Sequence, residues 1–434
     1  MTRVFTWSPN PDAVNSAAPR SFYAAAVRQT LSQWGARLGL LWLGFLAILA
    51  VFGPLIASSH PYWVRLSPAA AELAGAGSRL PGPVGVGFSP LWRSLTPVDV
   101  ALLAGTLTCG VVWLGLWLAG VRRRGRLVLL ATVVAVIGGA VAGYVKGRPA
   151  VVVYERYREL QASGVVEYVL RAPIPYSPSD RNRDTVRARQ QPPTWALSPQ
   201  RAAERPANAP YFLLGSDREG SDVASRLIHA SRTALAIGFV ATGIATVIGV
   251  IIGGLMGYFA GWLDIVGMRL IEMIEAVPRL MLLLAVAAIF NADIFLMMVL
   301  IGLTGWMGNA RFIRAEFLRL RKQDFVQAAE ALGLPLHSIL FKHLLPNGIA
   351  PVLVSVSFGV AGAILIESTL AFLGIGRPDQ PSWGQLLNQA REGGEFQWWI
   401  AVFPGGMIFL TVFAYQLIGE ALRDALDPKL KKRE

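Results

Sequence analysis

Residues 327–347 read "QAAEALGLPLHSILFKHLLPN", a short, punctuated helical pair set between apolar runs. From Phe325, apolar or small residues recur at Ala328, Ala329 and Leu332, which is helical spacing. Asp324 stands at the start, where negative charge is favoured. Gly333 can end this helix in a left-handed conformation. Pro335 suits the first turn of a second helix, with Ile339, Leu340 and Leu344 as its apolar positions. Leu345-Pro346-Asn347 then closes that second helix before the next apolar run. An alanine-faced hairpin of this kind has two readings. It can lie in a groove on another protein, or it can rest on lipid headgroups. The second usually needs a large apolar face bearing Trp or Phe, which the stretch lacks.

The surroundings are those of a membrane protein. Of 434 residues 54% are hydrophobic and 15% charged, with a mean hydropathy of +0.48; a soluble domain carries about 25% charged residues. Uncharged runs fall at 38–57, 100–121, 127–145, 233–263, 280–292, 294–310, 348–366 and 398–419. A crossing takes about 20 residues, so 280–292 must borrow the preceding "MRLIEMIEAVP". That predicts one tilted helix over 265–290, kinked near Pro278. Arg269 with Glu272, and Glu275 with Arg279, would neutralise each other along its surface. Eight spans result.

Charge sets the orientation. With the N-terminus inside, "VRRRGR" (121–126), the loop at 264–279 and the tail "LRDALDPKLKKRE" face the cytoplasm. So does the loop 311–346, with Arg311, Arg314, Arg319, Arg321, Lys322 and Lys342. Short cytoplasmic loops are expected to be basic. The Arg-rich segment 146–231 falls outside, as long loops can whatever their charge. Within it "SPSDRNRDTVRARQQPPTWALSPQRAAERPANAP" (177–210) reads as loosely packed, and "VVVYERYREL" (151–160) as the start of a small structured element. Residues 1–37 lack the apolar core of a cleavable signal. The expected division is a cytoplasmic 1–37, a first span at 38–57, and an insertion over 58–231 that holds the extra spans 100–121 and 127–145. A core over 232–420 with the hairpin at 323–346 follows, then a cytoplasmic tail, 421–434. The net charge of +13 belongs to these loops; no aromatic and basic platform accompanies it, so nucleic acid is not an expected partner. The single Cys109 cannot form an internal disulfide.

Four ordered motifs carry a family resemblance. Ala328, Ala329, Gly333, Leu345 and Pro346 match the cytoplasmic "EAA" signature of binding-protein-dependent ABC importer permeases, with Gln327 in place of the usual Glu. "KHLLPN" resembles the "RHILPN" ending of the peptide-importer branch. "LLGSDREGSDVASRLIHASRTAL" (213–235) resembles that branch's entry to its second span, through Gly215, Asp217, Gly220, Asp222, Ser225, Arg226 and Arg232, with Ser221 replacing an Arg. "ESTLAFLGIGRPDQPSWGQLL" (367–387) and "GEALRDALDPKLKK" (419–432) resemble its later motifs, and 28–59 does so more weakly. The chain is thus similar to dipeptide and oligopeptide permeases of the C-subunit type.

The resemblance implies an all-α polytopic membrane protein of the bacterial inner membrane. Its fold would be a type I importer core of six helices with an extra two-helix insertion, and both termini would be cytoplasmic. It implies two ATPase subunits or domains, a second homologous permease and a solute-binding protein as partners. ATP and Mg would sit on the ATPases and no cofactor on this chain. Gln327, Ala328, Ala329, Gly333, Leu345 and Pro346 would form the ATPase-coupling surface. The chain carries no G-x-x-x-x-G-K-[ST] phosphate loop, no H-E-x-x-H and no G-x-S-x-G elbow. Catalysis by this chain is therefore not expected.

Each remaining candidate has a plain alternative. Asp217, Glu219 and Asp222 lack the ligand spacing of a calcium loop, and capping ahead of a span is the expected use. Glu367, ionisable at membrane depth, is a pathway or outer-gate candidate, or a partner for Arg232 across the bundle. Trp383, in "PSWG", is an outer gate or binding-protein contact, or an ordinary interfacial residue. Two other classes stay open: an ATP-independent secondary transporter or channel, and a membrane enzyme or sensor built on 146–231.

Overall fold

The computed structural model describes residues 22–67, 87–118, 124–146, 164, 166–180, 190–203, 211–290, 293–376, 380–392 and 396–426. The stretch 151–160, residues 121–123 of 121–126 and the tail from 427 lie outside them. Among the described residues seven helices are long and apolar enough to cross a membrane.

Helix α1 (Phe22–Ser32) leads into α2 (Trp34–Ile56). The chain then forms a two-stranded antiparallel ribbon, β1 (Trp63–Leu66) with β2 (Val166–Leu170), pairing Trp63 with Leu170 and Arg65 with Tyr168. Between these strands the chain leaves to make α3 (Pro97–Leu118) and α4 (Arg124–Lys146). These two pack closely because glycines face the contact. A Cβ on Gly139 would stand 2.9 Å from the Ala101 Cα, and one on Gly143 would stand 2.5 Å from the Pro97 Cα. Small residues at such spacing let membrane helices approach backbone to backbone.

The long helix α5 (Val223–Phe259) has 37 residues, or about 55 Å at 1.5 Å per residue. It is longer than a hydrocarbon core of about 30 Å. A stripe of Gly249, Gly253 and Gly257 admits the backbone of α9 (Trp306–Leu320): a Cβ on Gly253 would lie 2.2 Å from the Ala310 carbonyl oxygen. Ala260 and Gly261, both with positive φ, then turn the chain sharply into α6 (Gly261–Glu275).

The single kinked helix expected over 265–290 is instead two, α6 and α7 (Arg279–Ile289), separated at Ala276–Pro278. Pro278 has no N–H and pushes its predecessor out of helical geometry. The break also changes the pairing. Arg269 meets Glu272 at 2.7 Å as expected, but Glu275 reaches Arg311 of α9 at 2.6 Å. Arg279 donates instead to the Ile301 carbonyl at 2.8 Å and to Thr304 Oγ1 at 3.1 Å. It thereby satisfies the C-terminal end of α8 (Ile294–Leu303). Helices α8 and α9 continue one another across Thr304 and Gly305 as a single apolar stretch to Leu320.

The bundle is completed by α11 (Ala350–Phe372), the short α12 (Trp383–Glu392) and α13 (Trp398–Leu426); α10 belongs to the hairpin below. Mid-bundle, Asn309 joins three helices: its amide donates to Thr246 Oγ1 at 3.2 Å, and Ser355 Oγ donates to its Oδ1 at 2.7 Å.

Within 177–210, the segment expected to be loosely packed, the residues whose burial is described are half-buried or exposed except Pro193, and the packed anchors stand at its borders. Tyr176 and Phe212 stack and are buried. Thr194 N–H bonds the Phe212 carbonyl, and Ser216 N–H bonds that of Gln191. The two aromatics flank the polar stretch 177–210 and are 36 residues apart, so their pairing is not legible in local sequence.

Candidate functional site

Two ends of the bundle hold the singled-out residues. At one end, α9 passes through Gln323 into α10 (Asp324–Ala331). Val326 and Ala329 are buried against Phe317, Leu320, Ile339, Leu344 and Val352. Phe325, Ala328 and Leu332 point outward, Leu332 with 80% of its surface free. The two alanines therefore face opposite ways, not one shared flat face. Ala329 fastens the helix, while Gln327 and Ala328 lie on the open side. The register is set by Val326, which sequence reading passed over.

Gly333 stops α10 as expected, at φ +68. Its N–H bonds the Glu330 carbonyl at 2.9 Å, and Leu334 N–H bonds that of Ala329 at 3.2 Å. This double bond is the Schellman arrangement, which needs a left-handed residue. Pro335 precedes the return helix, Leu336–Ser338. That helix widens to π geometry over Ile339–Leu344 and resumes as Leu345–Gly348. Leu345-Pro346-Asn347 therefore opens a new helical turn; it does not close the pair. Pro346 would clash with the carbonyl four residues back, and the wider π turn moves that carbonyl aside.

The hairpin is braced to the rest of the bundle. Tyr258 at the end of α5 donates its hydroxyl to Glu330 at 2.9 Å, and Arg321 donates to the Tyr258 carbonyl at 2.9 Å. Arg314 grips Asp264 of α6 with two bonds, one of 2.6 Å. None of these pairs is legible as local spacing, since the partners lie 50 to 72 residues apart.

At the opposite end the turn 215–222 winds around Asp217. Its Oδ1 accepts from the Glu219 and Ser221 amides, and its Oδ2 meets the buried Arg226. Arg226 also donates to Gln385 Oε1 of α12 at 2.8 Å. Asp222 caps α5, accepting from Ser225 N–H at 2.7 Å. Burial pushes its carboxyl up to about 7, against that amide, which favours the anion.

Arg232 does not meet Glu367. Its Nε donates to the Ala50 carbonyl at 2.9 Å and its Nη1 pairs with Asp99 of α3. The Ala50 carbonyl is the one that Pro54, four residues on and without an N–H, leaves open inside α2. Asp99 also accepts from Thr96 N–H and Oγ1, each at 2.7 Å. Arg232 therefore ties the α3–α4 hairpin to α2 and α5. Glu367, 6% exposed, accepts from Ser382 Oγ at 2.7 Å and from Ser368 Oγ at 3.3 Å. Trp383 is 1% exposed and donates its indole N–H to the Leu227 carbonyl at 3.2 Å. In this conformation it packs the interior and offers no surface to a partner.

The family model described as "Binding-protein-dependent transport system inner membrane component" matches residues 249–432. The oligopeptide transport system permease protein OppC of Haemophilus influenzae is 37% identical over 220 residues, 50% of this chain and 71% of that protein. The glutathione transport system permease protein GsiD of Pectobacterium atrosepticum is 36% identical over 232 residues, 53% and 76% of the two chains. The dipeptide transport system permease protein DppC of Haemophilus influenzae is 33% identical over 259 residues, 59% and 84%. A solved chain of the MetNI methionine ABC transporter in an inward-facing conformation overlays with a TM-score of 0.40 at 16% identity, covering 46% of this chain and 97% of that one. At that score the likeness carries no argument.

Proposed function

Because this chain belongs to the binding-protein-dependent transport system inner membrane component family, we propose that it moves peptides or similar solutes and is driven through the hairpin at 323–346. The chain is a multi-pass permease subunit of an ATP-binding-cassette importer, and its partners include an ATPase and a binding protein. The finer reading is two ATPase subunits or domains, a second homologous permease, and termini and hairpin on the cytoplasmic side. ATP and Mg belong to the ATPases. The names of the relatives, with oligopeptide, dipeptide and glutathione among them, support the solute class. The division into an insertion over 58–231 and a core over 232–420 belongs to the same proposal. An ATP-independent transporter is not favoured by a chain of this family.

One observation carries the coupling role: α10 presents Phe325, Ala328 and Leu332 to the outside while Val326 and Ala329 fix it to the bundle. An apolar helix face on a rigid stem is suited to a groove on a partner. Glu330 of α10 bonds Tyr258 at the end of α5, while Arg321, at the end of the adjoining α9, and Arg314 within it bond the Tyr258 carbonyl and Asp264 of α6. A displacement of α10 is thus delivered to three helices of the bundle. ATP binding closes the ATPases, draws the hairpins and favours the outward-open state; hydrolysis lets the helices return. The ligand acts by differential affinity for two states.

The test is recovery of partner chains with the tagged protein from native membranes. Wild type should bring down an ATPase and a second permease. Gly333→Glu should lose the ATPase, as should Leu332→Asp, which alters the open face without straining the backbone. Retention of the ATPase by both variants would sink the hairpin as the coupling surface.

A further inference from the structure

Where α8 begins and α11 ends, a cavity of about 240 Å³ lies among Ile237, Asp293, Met297, Glu367, Gln380 and Asn388. Among the described residues no Lys, Arg or His lines it. Two carboxylates do. Asp293 spends one oxygen on the Leu296 amide as the cap of α8. Glu367 is almost fully buried and receives only the neutral hydroxyls of Ser382 and Ser368. The buried Arg226 and the half-buried Arg232 of this end are committed elsewhere, to Asp217 and to Asp99. A third acceptor, Gln380 Oε1, is buried and has no hydrogen-bond partner among the described residues.

A buried carboxylate without a cation is costly, and such a group within a membrane bundle marks a pathway by default. The lining says which cation suits it. Ile237, Ile294, Met297, Ala371 and Ile375 make much of the wall apolar, whereas calcium asks for six to eight oxygen ligands. A primary ammonium is a compact charge with three N–H donors. Three acceptor groups meet that need, and the apolar wall accommodates the adjoining carbon chain.

We propose that this cavity is a transit subsite for the primary ammonium group of the solute, the free amino end of a peptide, with Glu367 as its counter-charge and Asp293 as a secondary one. The assignment rests on the importer reading for the nature of the solute. Binding, however, can be measured without transport.

The experiment uses the full chain with its accompanying subunits in lipid nanodiscs, titrated with trialanine and with N-acetyl-trialanine. Trialanine should bind tighter by roughly tenfold, the scale of one charge-assisted hydrogen bond. Glu367→Gln should erase that preference. Asp293→Asn keeps a capping side chain and should reduce it a few-fold. Equal affinity for the two peptides in wild type overturns the proposal, and that comparison holds even if Glu367→Gln fails to fold. So does competition by KCl as strong as that by trialanine, which would mark an inorganic cation site. A preference that survives in Glu367→Gln would overturn the role of that residue. If ATPase subunits co-purify and both peptides bind and are taken up equally, the subsite falls and the importer reading stands. If the preference is found but no ATPase accompanies the chain, the subsite stands and the coupling reading falls.

Discussion

The helix α4 and the α8–α9 stretch invert the usual relation between apolarity and burial. Leu127–Val145 of α4 is the more apolar of the two, yet 11% of its most apolar window is buried; for Ile294–Leu320 the share is 44%. Apolar content reports the bilayer, which accepts Leu and Val as readily as a protein interior does. Burial within the bundle follows small and polar residues instead. The core stretch carries Asn309 bonded to two neighbouring helices and lies against a glycine stripe on α5. The insertion packs on itself through Gly105, Gly139 and Gly143, and is tied to the core by Arg232 and Asp99.

The largest test of that contrast is Gly253→Leu. Its side chain would enter the backbone of α9 at Ala310, so α5 and α9 must part. We expect no monodisperse folded chain on size exclusion in mild detergent. Gly138→Leu in α4, where a Cβ meets nothing within 4 Å, should elute as wild type. Equal behaviour of the two would break the comparison.

Next comes the tie between the regions. Arg232→Ala leaves Asp99, itself 5% exposed, without its cation, at a cost on the order of 3 kcal/mol. The thermal unfolding midpoint should drop. Arg232→Leu with Asp99→Leu should recover part of the loss, since removing both charges removes the desolvation penalty. No recovery would mean that the loss comes from the bond to the Ala50 carbonyl, which joins α5 to α2, and not from the ion pair that ties in the insertion.

Gly139→Ala should cost about 1–3 kcal/mol by overpacking, confined to the α3–α4 contact. Cysteine cross-linking between those helices should weaken while solute uptake stays at the wild-type rate. Loss of uptake would show the insertion to be part of the transport cycle. Smallest of all, Gly138→Ala, one residue away and facing out, should shift stability by no more than about 0.5 kcal/mol in the same melt. Two adjacent glycines then report the two sides of one helix.

Much of this was legible in sequence. The apolar runs mark the membrane helices, and Gly333 marks the end of α10, because bilayer thickness and left-handed backbone are constraints a chain must meet locally. Asp222 reads as a cap for the same reason. What did not read, beyond the Arg269–Glu272 pair within one helix, was pairing between helices. Glu275 and Arg279 look like partners at helical spacing, and Pro278 turns them apart. Arg232 and Glu367 are both unpaired in sequence, yet each takes a different neighbour.

The sequence by itself therefore determined the membrane class, the order of the helices, the hairpin between α9 and α11, and the family to which its motifs point. Tertiary structure alone decided which face of α10 is open, which carbonyl Arg232 fills, and that Glu367 is left with hydroxyls and a cavity. The physical reason is one of range. Transfer into lipid, capping and backbone handedness act within a few residues along the chain. A buried charge is settled by whatever the packed helices bring beside it, and those groups lie up to 182 residues away in sequence.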